Sequence, residues 1–530
     1  MPSLPKRGDW DGFVALALDN LVQFLLIVGL CLGVLRFPSV LVMTRVAPAA
    51  ALGLAVGSCY FARAARRCGT AATALPFGIS TIALFANVFL VMLPAREAAL
   101  ALGHTVEDAA LGSWRLGLAV AFCVGVGVGL GSFVVTRLRR VTPEPALLST
   151  LSGMALCFIA GEFAARAFAN PLVALLPFGI VLCCYAAGHR APWGAPAGAW
   201  ALLTGTAAAW LLALSGAPSP LHVDNLASAL TEAQLALPSL ALADLWHGLT
   251  TPELAGYLVP VALPLVIANV LGSLQNLASA ARAGDDYPAQ PSLLASGLCT
   301  MLSATLGSGF PNTIYIGHPG WKGFGARASY AELNGLFFVL ITFAGLLPLV
   351  TAVIPLEAGF GLMVWIGISV AAQSLQGASR GEALAVVVGI IPVVIAWATS
   401  LLSRAVTLAQ HAVAPQLPDT QAFAAFIVIA NAEMPLPGLV ALAQGFMLTG
   451  IIWAAALLYC ERQQFRRAAG WLGLGAALAF FGFVHAGSLG PGGPITALGL
   501  GSGWRWALGY GLCALFCLTL ERGKVAEPST

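Results

Sequence analysis

The sequence predicts an all-α polytopic membrane protein with a 7+7 inverted-repeat architecture. Two broken third spans, each a short strand plus a half-helix, and about two extra C-terminal helices complete it. Three observations carry that expectation. Of 530 residues, 59% are hydrophobic and only 9% are charged, whereas a soluble chain carries about a quarter of its residues as charges. Uncharged runs of roughly 20 residues, long enough to cross a hydrocarbon core of about 30 Å, recur from end to end. Two of these runs are interrupted by Pro and Gly at matching positions of the two halves.

Such a composition excludes a soluble enzyme, a DNA-binding module and a disordered chain, and the continuous apolar runs argue against a porin-like barrel. The 25 Lys and Arg against 22 Asp and Glu give a net charge of +3. The basic residues sit in short clusters at the ends of apolar runs, so no nucleic-acid partner is expected. The eleven cysteines, among them Cys31, Cys123, Cys157, Cys183, Cys184 and Cys513, lie mostly inside apolar runs without metal-ligand spacing. They read as small apolar packers, and neither a metal nor a cofactor is expected.

In chain order, residues 1–13 form a polar tail that is retained rather than cleaved. Apolar runs near 14–36, 46–64, 75–94, 114–136, 144–165, 171–188 and 193–215 make seven spans. Residues 216–255 carry Asp224, Glu232, Asp244 and Glu253 without a single Lys or Arg, which marks a loop or a pair of surface helices between two halves. Seven further runs follow near 256–280, 291–308, 310–325, 329–353, 358–378, 382–403 and 437–460. Two more lie near 468–486 and 504–520, beyond Arg462, Arg466 and Arg467. With the N-terminus in the cytoplasm, Arg63, Arg66, Arg67, Arg137, Arg139, Arg140, Arg190, Arg282, Arg380 and the Arg462 cluster all fall inside, with Arg522 and Lys524, and the acid-only loop falls outside. Both termini are therefore expected in the cytoplasm, with the chain integral to a bacterial inner (plasma) membrane.

Polar groups and helix breakers at membrane depth are costly and mark function. Four stretches stand out. Asp19, Asn20 and Gln23 place a carboxylate and two amides within the first span. Thr73-Ala74-Leu75-Pro76-Phe77-Gly78-Ile79-Ser80-Thr81 reads as an extended piece ahead of a half-helix, because Pro lacks an N–H and Gly tolerates unusual dihedrals. Asn269, Ser273 and Asn276 recur at helical spacing and share one face, offering both donors and acceptors; polar glue between helices is the bland alternative. The stretch from Gly307 to Gly320, with Phe310-Pro311-Asn312-Thr313-Ile314-Tyr315 and Gly317-His318, reads as a second strand leading into a half-helix.

The second and fourth stretches occupy the third span of each half. That is the sequence pointer to an inverted-repeat secondary transporter with its substrate near the midplane, because seven spans per half force the halves into opposite orientations. The half-helix N-termini would then present positive dipole ends to an anionic or carbonyl-bearing substrate.

Over roughly residues 14–460 the layout resembles the nucleobase–ascorbate transporter family, with its xanthine/uracil permeases and its adenine/guanine/hypoxanthine permease branch. Phe310-Pro311-Asn312-Thr313-Ile314-Tyr315 is similar to the tenth-span strand motif of that family, Asn269-Val270-Leu271-Gly272-Ser273 to its eighth-span motif, and Asp19-Asn20 stands where those permeases have Gln-His. The resemblance implies a core domain of residues 14–136 and 256–353 holding the substrate. It implies a gate domain of residues 137–215 and 354–460, with 461–530 outside the pattern, and a homodimer formed through gate domains. Relatives carry carboxylates where this chain has Asn269 and Gly317. An amide hydrogen-bonds but does not titrate, so Asp19, His318 and, in the fifth span, Glu162 are the titratable coupling candidates, with Asn20 beside them.

The function expected from sequence is a secondary transporter, or permease, for a small planar heterocycle such as a purine or pyrimidine base. Phe77 would offer an aromatic face, with Gly78 and Tyr315 beside it. Asn269, Ser273, Asn276, Asn312 and the Gly317 turn would meet the ring edge, with a proton or sodium ion as coupled partner. The alternative within the same architecture is a small anion of the sulfate, bicarbonate or benzoate type. A membrane-embedded enzyme finds no support, since no metal or nucleophile constellation lies at membrane depth.

Overall fold

The computed structural model describes residues 5–69, 71–101, 103–189, 191–194, 197–231, 235–376, 379–413, 434–485, 487–490 and 493–526. Most of the 404–436 connection, with Arg190 and Glu232, lies outside the described residues. Six helical runs among them are long and apolar enough to cross a membrane: Arg7–Val34, Ser39–Cys68, Val106–Val134, Glu144–Ala169, Ala197–Ser215 and Arg380–Val406. The fold is that of a polytopic helical membrane protein, and its helices follow the apolar runs closely. We label α1 (Arg7–Gly29), α2 (Ala47–Cys68), β1 (Phe77–Ile79), α3 (Thr81–Asn87) and α4 (Val106–Val141). After α5 (Glu144–Met154), α6 (Pro171–Ala187) and α7 (Ala197–Ser215), the acid-only loop carries α8 (Val223–Thr231) and α9 (Leu242–Thr250). The second half holds α10 (Leu263–Arg282), α11 (Ala289–Leu306), β2 (Asn312–Ile314), α12 (His318–Gly323) and α13 (Ser329–Phe343).

Both third spans are broken as the sequence predicts, into β1 followed by α3 and β2 followed by α12. Two runs expected to be continuous are not. The run 329–353 stops at Phe343, and Gly345 takes a φ of 65° before a short helix, Leu347–Val353. The run 437–460 is two helices, Leu436–Ala443 and Phe446–Glu461, bent by 85° at Gly445, whose φ is 71°. In both places glycine enters the left-handed region, which ends a helix without the strain a Cβ would bring.

The chain divides into two compact units, one of Met1–Thr136, Ile159–Leu258 and Leu265–Val370, the other of Arg137–Phe158, Val259–Pro264 and Ala371–Thr530. In the first unit α13 packs against α1 and α2. The rings of Phe24 and Phe338 stack 4.7 Å apart, a contact worth about 0.5–1.5 kcal/mol beyond area burial. Gly335 lets the α2 backbone at Ala55 come within 2.9 Å of where a Cβ would stand. In the second unit α5 meets α14 (Arg380–Val413) and α15 (Phe446–Glu461) through Gly153, Gly389 and Gly450, at which a Cβ would run into Val393, Ser149 and Thr150 respectively. Beyond them, α16 (Phe465–Phe480), a hairpin of β3 (Gly487–Gly490) and β4 (Gly493–Thr496), and α17 (Trp504–Ala526) form the two extra helices and their connection.

The acid-only loop is docked rather than loose. Asp244 on α9 accepts from Arg115 Nε at 2.9 Å and from Arg45 at 3.1 Å, and the Arg45 guanidinium lies over the Trp114 ring. A Cβ on Gly248 would overlap the Arg115 carbonyl, which is backbone and does not yield. Gly248→Val is therefore expected to undock α9. Faster cleavage of the loop by an added protease checks this; unchanged protection would refute the docking.

Candidate functional site

The site is built around two strands that come from places 235 residues apart in the sequence. They pair antiparallel in the register Phe77 to Ile314, Gly78 to Thr313 and Ile79 to Asn312. The pairing extends outward, with Tyr315 N donating to Pro76 O and Ser80 N to Pro311 O, both at 2.8 Å. Pro76 and Pro311 thus sit where only their carbonyls are needed, which explains why proline is tolerated in both strands.

Residues directly opposite in a sheet share a face and neighbours along a strand alternate, so Gly78 and Thr313 point one way and Phe77, Ile79, Asn312 and Ile314 the other. The second face is packed. Phe77 is fully buried, its ring centroid 5.3 Å from that of Phe61, in a place opened by Gly57, where a Cβ would collide with the ring. Asn312 is equally buried and donates from Nδ2 to Ser303 Oγ at 2.8 Å on α11. Neither faces the side on which Gly78 lies.

On the Gly78 face, Tyr315 folds back across β1. Its hydroxyl donates to Ile79 O at 2.8 Å and stands 3.2 Å from Asn20 Oδ1. A Cβ on Gly78 would overlap both Asn20 Oδ1 and the end of the Tyr315 ring, so this close approach requires glycine. On the other strand, Thr313 Oγ1 donates to Asn269 Oδ1 at 2.9 Å. The first helix of each half thus brings an asparagine, Asn20 or Asn269, to the central residue of its own half's strand, Gly78 or Thr313. Asp19 lies one residue from Asn20 and is half-buried; among the described residues its carboxylate has no hydrogen-bond or ion-pair partner.

The helix α10 reads the free edge of β2. The carbonyls of Asn312 and Ile314, which alternation turns away from β1, accept from Asn269 Nδ2 at 3.2 Å and from Asn276 Nδ2 at 2.7 Å. Asn269 and Asn276, two helical turns apart on the shared face, thus hold two successive outward carbonyls of the strand. Ser273 Oγ and Asn276 Oδ1 are buried without a partner among the described residues. At Gly272 a Cβ would meet nothing within 4 Å, so open space borders the helix there.

The coupling candidates scatter. Gly317, with a φ of 117°, starts α12, and His318 after it is buried. Its Nε2 lies 3.0 Å from Thr73 O and 3.1 Å from Asp285 Oδ2. Facing two oxygens, that nitrogen carries the proton. Asp285 also accepts from Lys322 Nζ at 2.7 Å and from Thr73 N at 3.0 Å. His318 thus belongs to a network that anchors the entrance of β1, together with Tyr287, whose hydroxyl donates to Thr73 O. Glu162 pairs with Arg166 one helical turn on, at 2.8 Å. The sequence reading missed Thr313, which only the strand register reveals, and Asp285, which carried no signal beyond being one of two acids in a short loop.

The Asp285 carboxyl, though burial opposes its charge, is held down from 3.8 to about 2 by His318, Lys322 and the Thr73 amide. A lowered carboxyl stabilises the folded state fully above its ordinary value and loses that contribution as pH falls through the folded one. Thermal melting should therefore show acid destabilisation between about pH 4 and 2 that Asp285→Asn removes. Parallel melting curves for the two proteins across that window would refute it.

No family model matches the chain, and no curated protein matches it. Among solved structures the chain is similar to the transmembrane domain of a cyanobacterium bicarbonate transporter, BicA, at 14% identity over 74% of this chain and 96% of that one, with a TM-score of 0.45.

Proposed function

We propose that the chain is a secondary membrane transporter whose substrate binds on the Gly78–Thr313 face of the paired strands. The observation that carries this reading is the pairing of two strands from the broken third spans of the two halves. A chain that interrupts two spans and rejoins them at one point places irregular backbone at membrane depth, which is tolerated only where it is buried in protein or lines a cavity, and matching interruptions in two halves are the mark of a transporter's binding site. Alternating access would move the core, residues 14–136 and 256–353, against the gate, residues 137–215 and 354–460, with both termini in the cytoplasm.

The substrate that best suits this face is a small anion rather than a planar base. Ring stacking on Phe77 is blocked by its burial. The Asn269 and Asn276 amides, which would read a ring edge, donate to the β2 backbone instead. What remains is a compact face with Gly78, Thr313 and the backbone of the paired strands. A purine or pyrimidine base stays the second reading, favoured by the hydrogen-bonding groups of Asn20 and Tyr315 on the same face.

An anion beside Asp19 implies a companion cation, because two like charges about 4 Å apart repel by about 1–4 kcal/mol between bulk water and a protein surface. Protonation of Asp19, or a bound sodium ion, relieves that repulsion. Uptake of labelled bicarbonate, sulfate, benzoate and nucleobases into liposomes containing the protein, under imposed proton or sodium gradients, tests the proposal. Anion uptake driven by one of the gradients is expected, and Asp19→Asn should make it indifferent to that gradient. Accumulation of bases but not anions would overturn the substrate class, and no uptake of either would overturn the transporter reading.

A further inference from the structure

The acid-only loop contains a helix that buries Leu245 but leaves two other large apolar side chains, Leu242 and Trp246, uncovered. On α9, Asp244 and Gly248 face the protein, the first held by Arg45 and Arg115, the second pressed on the Arg115 backbone. Leu242 and Trp246 face outward, 53% and 65% exposed. The extended stretch before it behaves in the same way. Ala236 and Ala241 are buried and tied by backbone hydrogen bonds to Phe343 O and Thr305 O, both at 2.9 Å. Leu235, Leu237 and Leu240 between and beside them are 84%, 71% and 70% exposed. Five of the six large apolar side chains between 235 and 246 thus point away from the protein, and only Leu245 points in.

The two anchoring points indicate what covers this face. Phe343 ends α13, whose Leu336 and Leu340 are exposed at 55% and 57%, and Thr305 lies near the end of α11, whose Leu298 is exposed at 54%. Both helices lie in apolar runs read as spans from the sequence, 291–308 and 329–353, so their exposed leucines stand where lipid would. The outward leucines of 235–242 therefore continue a lipid-facing surface past the ends of two spans, and Trp246 adds the amphipathic ring characteristic of the membrane–water boundary. Without a Lys or Arg between 216 and 255, the segment has no cation for anionic head groups and would rely on apolar insertion.

We infer that residues 235–246 form an in-plane membrane anchor that dips Leu235, Leu237, Leu240, Leu242 and Trp246 into the outer leaflet, so that the loop between the two halves is held by lipid on one side and by Arg45 and Arg115 on the other. The inference does not depend on what the protein transports. It is tested with the full chain in phosphatidylcholine nanodiscs, carrying the photoreactive residue p-benzoylphenylalanine at Leu237, Leu240 or, as a lipid-facing reference, Leu340. Irradiation should add the mass of one phospholipid at Leu237 and Leu240 as it does at Leu340. Because these side chains are exposed, the substitutions remove no internal contact. A second measurement uses brominated phosphatidylcholine, which quenches tryptophan at the interface: Trp246→Phe should lower the quenched share of the fluorescence. Adducts at Leu340 alone would show a solvated loop, and covalent dimers through Leu237 or Leu240 would show a second copy on this face; either result overturns the anchor.

Discussion

Valine in place of Gly78 is expected to abolish uptake and to lower the melting temperature of the detergent-solubilised protein. The added Cβ falls on Asn20 Oδ1 and on the Tyr315 ring, and neither is the loose end of a flexible chain, since Tyr315 is tied to Ile79 O and Asn20 is fully buried. Forcing extra atoms into so close a contact costs about 1–3 kcal/mol. The functional loss should be larger than the loss of stability, because the displaced groups form the proposed binding face. Partial rescue separates this explanation from general misfolding. Gly78→Ala combined with Asn20→Ala should recover part of the stability by removing one obstacle, whereas Tyr315→Phe keeps the ring and should recover none. Wild-type uptake by Gly78→Val would mean that α1 and β1 do not approach in the working protein.

Asn276→Ala should be the most destabilising of the amide substitutions on α10. It strips the Ile314 carbonyl of a 2.7 Å partner in a place that water does not reach, and a buried acceptor left unpaired costs about 1–3 kcal/mol. Asn269→Ala should cost less, since its bond to Asn312 O is longer, at 3.2 Å, and that carbonyl also lies 3.3 Å from the Thr300 hydroxyl. The ranking distinguishes strand clamping from substrate contact. Residues that touch only substrate would leave the melting temperature of the empty protein unchanged, and equal melting of wild type and Asn276→Ala would return these amides to the substrate.

The spans were legible because hydropathy is a local property: a run such as 144–165 or 382–403 is apolar whatever surrounds it, and lipid imposes the helix. The interruptions at Pro76-Phe77-Gly78 and Pro311-Asn312 were legible for the same reason, since Pro and Gly act within a few residues of where they stand. The breaks at Gly345 and Gly445 were not, because a single glycine inside an apolar run is compatible with a continuous helix until neighbouring elements select the left-handed conformation.

By itself the sequence determined that this chain lives in a bilayer, that each half carries a broken third span, and which polar groups had to be explained. Which of them share a face was decided only by the tertiary structure. The register that sets Gly78 against Thr313 joins residues far apart in the chain, and strand alternation turns that register into a choice of side: Phe77 and Asn312 to one face, Thr313 and Tyr315 to the other. Reading either strand alone leaves that choice undetermined, because a shift of one residue would exchange the two faces.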